Sequence, residues 1–348
     1  MRRVFTLALL LSAIPVIAKP VLAQETTPPP PSPVETIVVE TPVTGDPIPA
    51  PEAPPPDSFA LDPAVAFEAF AAGNYQRAFD LAITFANRGD RQAKRLLGQM
   101  YAGGFGVTES QEEALAWYRL ASEEGDTQAK VLLATMLLDG VVTERNEAEA
   151  ADLLQGAYEQ GNTQAAQMLG VLYLEGRGTN RDIMRGAELI REAADAGDPT
   201  AQYTLGILYN EGAGVRLDTS ESYAWFLRAA RQGNTEAQIE LALGLLRGEA
   251  GDPALSEERR IDDAMFWLRR AAEAGNPLAE NRLAHAYAQG YGVPFDRVQA
   301  AYFHSRAVSG GLPDARLDAY VATLTEDERA EVQRLVERDR APPNPFDN

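Results

Sequence analysis

The side chains able to do acid–base, nucleophilic or metal chemistry in this 348-residue chain are few and scattered. It has two histidines, His285 and His304, and no cysteine. A chain without thiols has no cysteine nucleophile, no thiolate metal site and no disulfide. The two imidazoles could face each other across a helix pair, but a metal site normally takes three or four ligands and no further ligand type accompanies them. Glu123-Glu124, Glu147 with Glu149, and Asp262-Asp263 are neighbouring carboxylates that could act as acid and base, as neighbours on any charged helix surface could. Gly104-Phe105-Gly106, Gly176-Arg177-Gly178, Gly212-Ala213-Gly214 and Gly290-Tyr291-Gly292 look like half of a dinucleotide-binding loop. They lack the third glycine and follow helical rather than strand patterns. No nucleophile elbow, phosphate loop or zinc helix is present. The expectation is no catalytic residue, no metal and no cofactor.

What these residues sit on is a recurring unit, seen in its fullest form from Pro199 to Asn234. Ala201, Leu205 and Tyr209 recur every four residues and share one helical face. Gly212-Ala213-Gly214-Val215 breaks that helix, and Ser222, Trp225 and Ala229 then line a second one. Neither helix can bury its apolar stripe alone, so the unit is a hairpin that needs neighbours.

The unit repeats. Gly89, Gly125, Gly161, Gly197 and Gly233 are 36 residues apart, Gly275 follows after 42 and Gly311 after 36 again. Ala93, Ala129, Ala165, Ala201, Ala237, Ala279 and Ala315 keep the same register, and one six-residue slip falls between Glu249 and Arg260. A fixed period of this length marks a stacked array. The expected organisation is an export signal over 1–23, a linker over 24–57, a helical array over 58–340 and a tail over 341–348. Within the array come an opening hairpin at 58–90, repeats at 91–126, 127–162, 163–198, 199–234, 235–276 and 277–312, and a C-terminal cap at 313–340. The fold class is all-α, built of antiparallel helix pairs.

The junction chemistry agrees with this reading. Each hairpin boundary pairs a glycine with Asp or Asn, as in Gly89-Asp90 and Gly197-Asp198. The glycine can close one helix in the left-handed conformation, and the acid or amide can cap the next. Inside the hairpins, Trp117, Leu153, Leu189, Trp225, Trp267 and Phe303 form a column opposite Gly98, Ala134, Gly170, Gly206, Ala242 and Ala284. The expectation is that this column fills the space which the small residues leave. Thr325 and Glu328 have the spacing of a capping box opening the last helix.

Arg2, Arg3 and the apolar run from Val4 to Ile17, ending at Val21-Leu22-Ala23, read as an export signal, which suits a periplasmic destination. The run is shorter than a comfortable membrane span and no other candidate exists, so no span is expected after its removal. Gln24 to Asp57 has 12 prolines, six acidic residues and no Lys or Arg, the composition of a disordered, extended tether. The net charge of −20 repels phosphate backbones and argues against nucleic acid. Within the tether, Glu35-Thr36-Ile37-Val38-Val39-Glu40-Thr41 resembles the energy-coupling box of TonB-dependent outer-membrane receptors. That resemblance would give Ile37, Val38 and Val39 a strand-addition role; the alternative is a chance apolar patch.

The pattern of Ala, Leu-Gly, Tyr, Gly-x-Gly-Val, Ala-x-x-Trp, Ala-Ala and Gly resembles the Sel-one-like repeat family, short relatives of tetratricopeptide repeats. Residues 199–234 meet it with Ser222 in place of one Ala, and 91–126 are also close. Leu137 and Leu245 replace the Tyr, and Val142 and Ala250 replace the second loop glycine, so the second and fifth loops depart from the pattern. The resemblance implies a right-handed α-solenoid and an adaptor that holds other proteins or peptides. In tetratricopeptide arrays the first helix of each pair lines the concave side. Transferring that register aligns Arg95, Val131, Gln167, Tyr203, Ile239 and Asn281 in one row and Gln99, Thr135, Val171, Ile207, Leu243 and His285 in a second. The middle of both rows is apolar, which suits capture of an apolar partner segment. The alternative is that these side chains pack between neighbouring first helices.

The function expected is therefore a non-enzymatic periplasmic scaffold or regulator of cell-envelope proteins that binds its partner in the concave groove. A secreted adaptor acting on host proteins is one alternative. A cell-wall-acting hydrolase is another, and it would require two carboxylates converging in one cleft. Neither the partner's identity nor the oligomeric state can be read from the residues.

Overall fold

The computed structural model describes residues 62–340. The export signal, the linker with Ile37, Val38 and Val39, the first residues of the opening hairpin and the tail lie outside the described residues. Among the described residues there are sixteen helices and no strand. They divide into two compact units, one running to Asn146 and the other starting at Glu147.

The first unit contains α1 (Ala64–Ala71), α2 (Tyr75–Asn87), α3 (Arg91–Gly103), α4 (Gln111–Glu123) and α5 (Thr127–Asp139). Each packs on the next. Its core gathers Ala78, Phe85, Leu96, Leu97 and Met100. The second unit runs from α6 (Glu147–Tyr158) and α7 (Thr163–Glu175) through α8 (Ile183–Asp195), α9 (Pro199–Glu211), α10 (Thr219–Arg231), α11 (Thr235–Arg247) and α12 (Glu257–Glu273). It continues with α13 (Pro277–Gln289), α14 (Arg297–Ser309), α15 (Ala315–Val321) and α16 (Glu326–Arg340). From α6 to α14 each helix again packs on its successor, after which α16 lies against α14.

The helices begin where the sequence supplies a cap. The side chains of Asp90, Asp126, Asn162, Asp198 and Asn234 accept from the amides of Ala93, Ala129, Ala165, Ala201 and Ala237 at 2.7–2.8 Å. Each satisfies a backbone donor that the first turn leaves free. Pro199 and Pro277 stand at the first helical turn, where no amide is needed. At the last helix the capping box forms in both directions. The Thr325 amide donates to Glu328 at 2.8 Å, and the Glu328 amide donates to the Thr325 hydroxyl at 3.3 Å.

The column that fills the gap beside the small residues is shifted by one residue from the one expected. A Cβ on Gly98, Gly170 or Gly206 would meet Tyr118, Ile190 or Phe226, the residues that follow Trp117, Leu189 and Trp225. Tyr118, Leu154, Ile190, Phe226, Leu268 and His304, one per repeat, are all buried. Trp117, Leu153, Trp267 and Phe303 remain partly exposed. Leu189 and Trp225 are themselves buried, Trp225 in a cluster with Val171, Leu174, Leu205 and Leu208, and the Arg228 guanidinium stacks 4.0 Å above its ring. Successive residues on a helix differ by about 100° in direction, so the first of the two packs along the array and the second across its own hairpin.

The Gly-x-Gly loops, which link the two helices of a hairpin, pack closely on the preceding hairpin. In the loop of residues 163–198, a Cβ on Gly178 would lie 1.9 Å from the carbonyl oxygen of Glu147 at the start of α6. In the fifth repeat, where Ala250 stands for the second glycine, Ala250 is buried and Gly251 supplies the positive φ of 86° one residue later. The six extra residues thus lengthen the loop and the start of α12 without breaking the stack.

Candidate partner-binding face

In the first unit the expected row is closed by its own side chains. Val131 is fully buried, and the Thr135 hydroxyl donates to the Val131 carbonyl at 2.9 Å. The Arg95 guanidinium lies over the Phe67 ring and reaches Asp126, the cap of α5, at 3.3 Å. Gln99 is partly exposed there.

In the second unit Val171, Ile239 and Asn281 are buried, at 2%, 4% and 6% exposure. The expectation that Val131, Val171, Ile239 and Asn281 stand free in a groove is therefore corrected. The first helices carry Ala or Gly on their inner faces and draw close, so side chains at these positions fill the seams between them. Asn281 donates to Asp314, the cap of α15, at 3.1 Å, and His285 Nε2 lies 2.8 Å from the same carboxylate. These bonds, the one from His285 before the one from Asn281, hold the Asp314 carboxyl well below the usual carboxylate range. Asn281 occupies the register position of Arg95, and both secure the cap of a following first helix.

Gln167, Tyr203, Ile207 and Leu243 remain partly exposed. Tyr203, Ile207 and Leu243 lie on one hydrophobic cluster, and the Tyr203 ring rests at a tilt against Phe226 with centroids 5.7 Å apart. Tyr203, Ile207 and Glu211 follow at steps of four along α9, while α11 presents Glu236, Glu240 and Leu243. Burial, and then the charges of Glu240 and Glu236, push the Tyr203 hydroxyl well up. Burial also raises the Glu240 carboxyl against the opposing pull of Arg247, and it raises that of Glu211. Arg247 is turned elsewhere, pairing with Glu249 at 2.6 Å and donating to the Tyr223 hydroxyl at 3.0 Å. The sequence reading missed these three carboxylates. The available signal was spacing: Glu211 lies four residues after Ile207, and Glu240 three before Leu243.

The two histidines do not share a ligand. His285 and His304 bond to separate carboxylates, Asp314 and Asp318, at 2.8 and 2.7 Å. Among the described residues no group of three His, Cys, Asp or Glu side chains is placed to hold a metal. Glu124 pairs with Lys94, Glu147 with Arg177 at 2.7 Å and Asp263 with Arg259 at 3.1 Å. The α9–α11 face is an apolar strip bordered by carboxylates.

The family model of the Sel1 repeat matches residues 91–126, 127–162, 163–198, 199–234, 235–276 and 277–312. A solved Sel1 repeat protein from Oxalobacter formigenes is 27% identical, with a TM-score of 0.63 over 70% of this chain and 96% of that one. A protective antigen present in uropathogenic Escherichia coli strains, also of this repeat fold, is 29% identical, with a TM-score of 0.58. That match covers 80% of this chain, which spans 60% of the antigen. No curated protein matches.

Proposed function

The chain belongs to the Sel1 repeat family, and from that premise we propose that it is a non-enzymatic scaffold or regulator which holds cell-envelope proteins in the periplasm. Members of the family generally serve as protein–protein interaction scaffolds, and this chain has the paired-helix architecture such scaffolds use. The observation that carries the reading is the partly exposed trio Tyr203, Ile207 and Leu243 on adjacent first helices, with Gln167 beside it in register. Apolar side chains kept at the surface of a stacked array, with no catalytic constellation beside them, favour capture of a segment of another protein. The periplasmic part of the proposal rests on Arg2, Arg3 and the apolar run to Ile17, read as an export signal.

Photo-crosslinking from position 203 or 243 in cells, followed by identification of the captured proteins, tests the function. Envelope proteins should be recovered, and Tyr203→Ala with Ile207→Ser should remove them while leaving the helical circular dichroism unchanged. Recovery of the same proteins from the double variant rejects this face. Finding the chain in the cytosolic fraction rejects the envelope.

A further inference from the structure

We infer that the face formed by α9 and α11 takes a cationic, apolar peptide segment, whose aliphatic side chains cover Tyr203, Ile207 and Leu243 and whose Lys or Arg side chains meet Glu211, Glu236 and Glu240. This rests on the scaffold reading above and adds the chemistry of the partner.

The two helices together carry three acidic residues and one basic residue. The base, Arg247, is occupied by Glu249 and the Tyr223 hydroxyl. Glu211, Glu236 and Glu240 have no ion pair among the described residues. Glu240 is partly buried beside Leu243 and Tyr203, while Glu211 and Glu236 stand exposed at the edges of the same strip. A carboxylate desolvated beside apolar carbon and left without a cation gains more from an incoming ammonium or guanidinium than a fully hydrated one. The same apolar carbon, that of Tyr203, Ile207 and Leu243, gives the incoming segment a surface to cover.

Charge also decides against the nearer occupants. A second copy of this chain brings a net charge of −20. The chain's own linker, residues 24–57, has six acidic residues and no Lys or Arg. Either would set like charge against these carboxylates.

The test titrates the full-length protein with two fluorescent amphipathic peptides of equal length and leucine pattern, one carrying Lys and the other Glu at every charged position. The Lys peptide should bind at least about tenfold more tightly, with an affinity that falls as salt is added. Glu211→Gln with Glu236→Gln and Glu240→Gln should cost the Lys peptide about tenfold, the sum of three partly screened pairs. The single variant Glu211→Gln should show a smaller loss in the same direction. Glu257→Gln with Glu258→Gln and Glu273→Gln, which neutralise exposed acids on α12, should change nothing. An equal loss in that control means general acidity and overturns the inference. Equal binding of the two peptides, with loss of both on Ile207→Ser and Leu243→Ser, overturns it while leaving the apolar face standing. In-cell crosslinking that survives Ile207→Ser and Leu243→Ser overturns the scaffold face and the inference together.

Discussion

Gly206 and Phe226 compete for one space: a Cβ added to Gly206 would lie 2.5 Å from Cε1 of the Phe226 ring. The ring is buried, and it can fill the gap across the hairpin only because α9 has no side chain there. Gly206→Ala sets two effects against each other. It favours the helix by about 1 kcal/mol and overpacks the gap at a cost of roughly 1–3 kcal/mol. Urea unfolding should show Gly206→Ala to be destabilising in the natural chain and stabilising in the Phe226→Leu background, where the ring atoms are gone. The same sign in both backgrounds contradicts the assignment.

Gly178 is held by a second kind of constraint. Its φ is +65°, and a Cβ would lie 1.9 Å from the Glu147 carbonyl oxygen, a backbone atom that cannot swing aside. Gly178→Ala should therefore cost about 2–3 kcal/mol, from backbone strain and from a forced separation of the loop from α6. Gly197 has a φ of +99° but open space around it, so Gly197→Ala should cost only the strain, about 1–2 kcal/mol. Thermal melts of the two variants side by side test the difference. Equal losses remove the docking role of Gly178.

Much of this was legible in the residues because the information is periodic. A 36-residue step carrying Ala93, Ala129 and Ala165 specifies stacked hairpins, and Gly-Asp or Gly-Asn boundaries specify where each helix stops and the next starts. Period alone could not decide between Trp225 and Phe226. Both are apolar rings, both recur as columns at the same step, and only their direction around the helix separates their tasks. The same limit hid the burial of Val131, Val171 and Ile239. Register assigns a position to the first-helix row, but how closely neighbouring first helices approach depends on the packing of every small residue between them. The carboxylates at 211, 236 and 240 were overlooked because a Glu on a helix ordinarily reads as a solvated face. What sets them apart is their place beside Tyr203, Ile207 and Leu243 with no ion pair among the described residues, a property of the packed array.

The Asp314 carboxyl is held low by His285 and then by Asn281, with the amides of Leu317 and Arg316 adding to them. A depressed carboxyl contributes stability that is present above its unfolded value, near 3.9, and is lost as pH falls through the folded one. The difference in melting temperature between the natural chain and Asp314→Asn should accordingly be largest above about pH 5 and shrink as the pH drops below about 4. A difference that grows on acidification contradicts this account of the α13–α15 junction.

His304 stands in the buried column otherwise occupied by Tyr118, Leu154, Ile190, Phe226 and Leu268. Its Nε2 reaches Asp318 at 2.7 Å, while its buried Nδ1 has no partner among the described residues. Leaving such a group unsatisfied costs roughly 1–3 kcal/mol, about as much as a single hydrogen bond to a charged group returns. The Asp318 side chain is 59% exposed, so it recovers hydration when the imidazole is removed. His304→Leu takes the residue already used in this column at positions 154 and 268, loses one partly solvated bond and removes the orphaned nitrogen. It should raise stability by about 1 kcal/mol in urea unfolding at neutral pH. A loss of more than about 1 kcal/mol would mean that the bond to Asp318 outweighs the packing and that the column tolerates an imidazole because α15 depends on it.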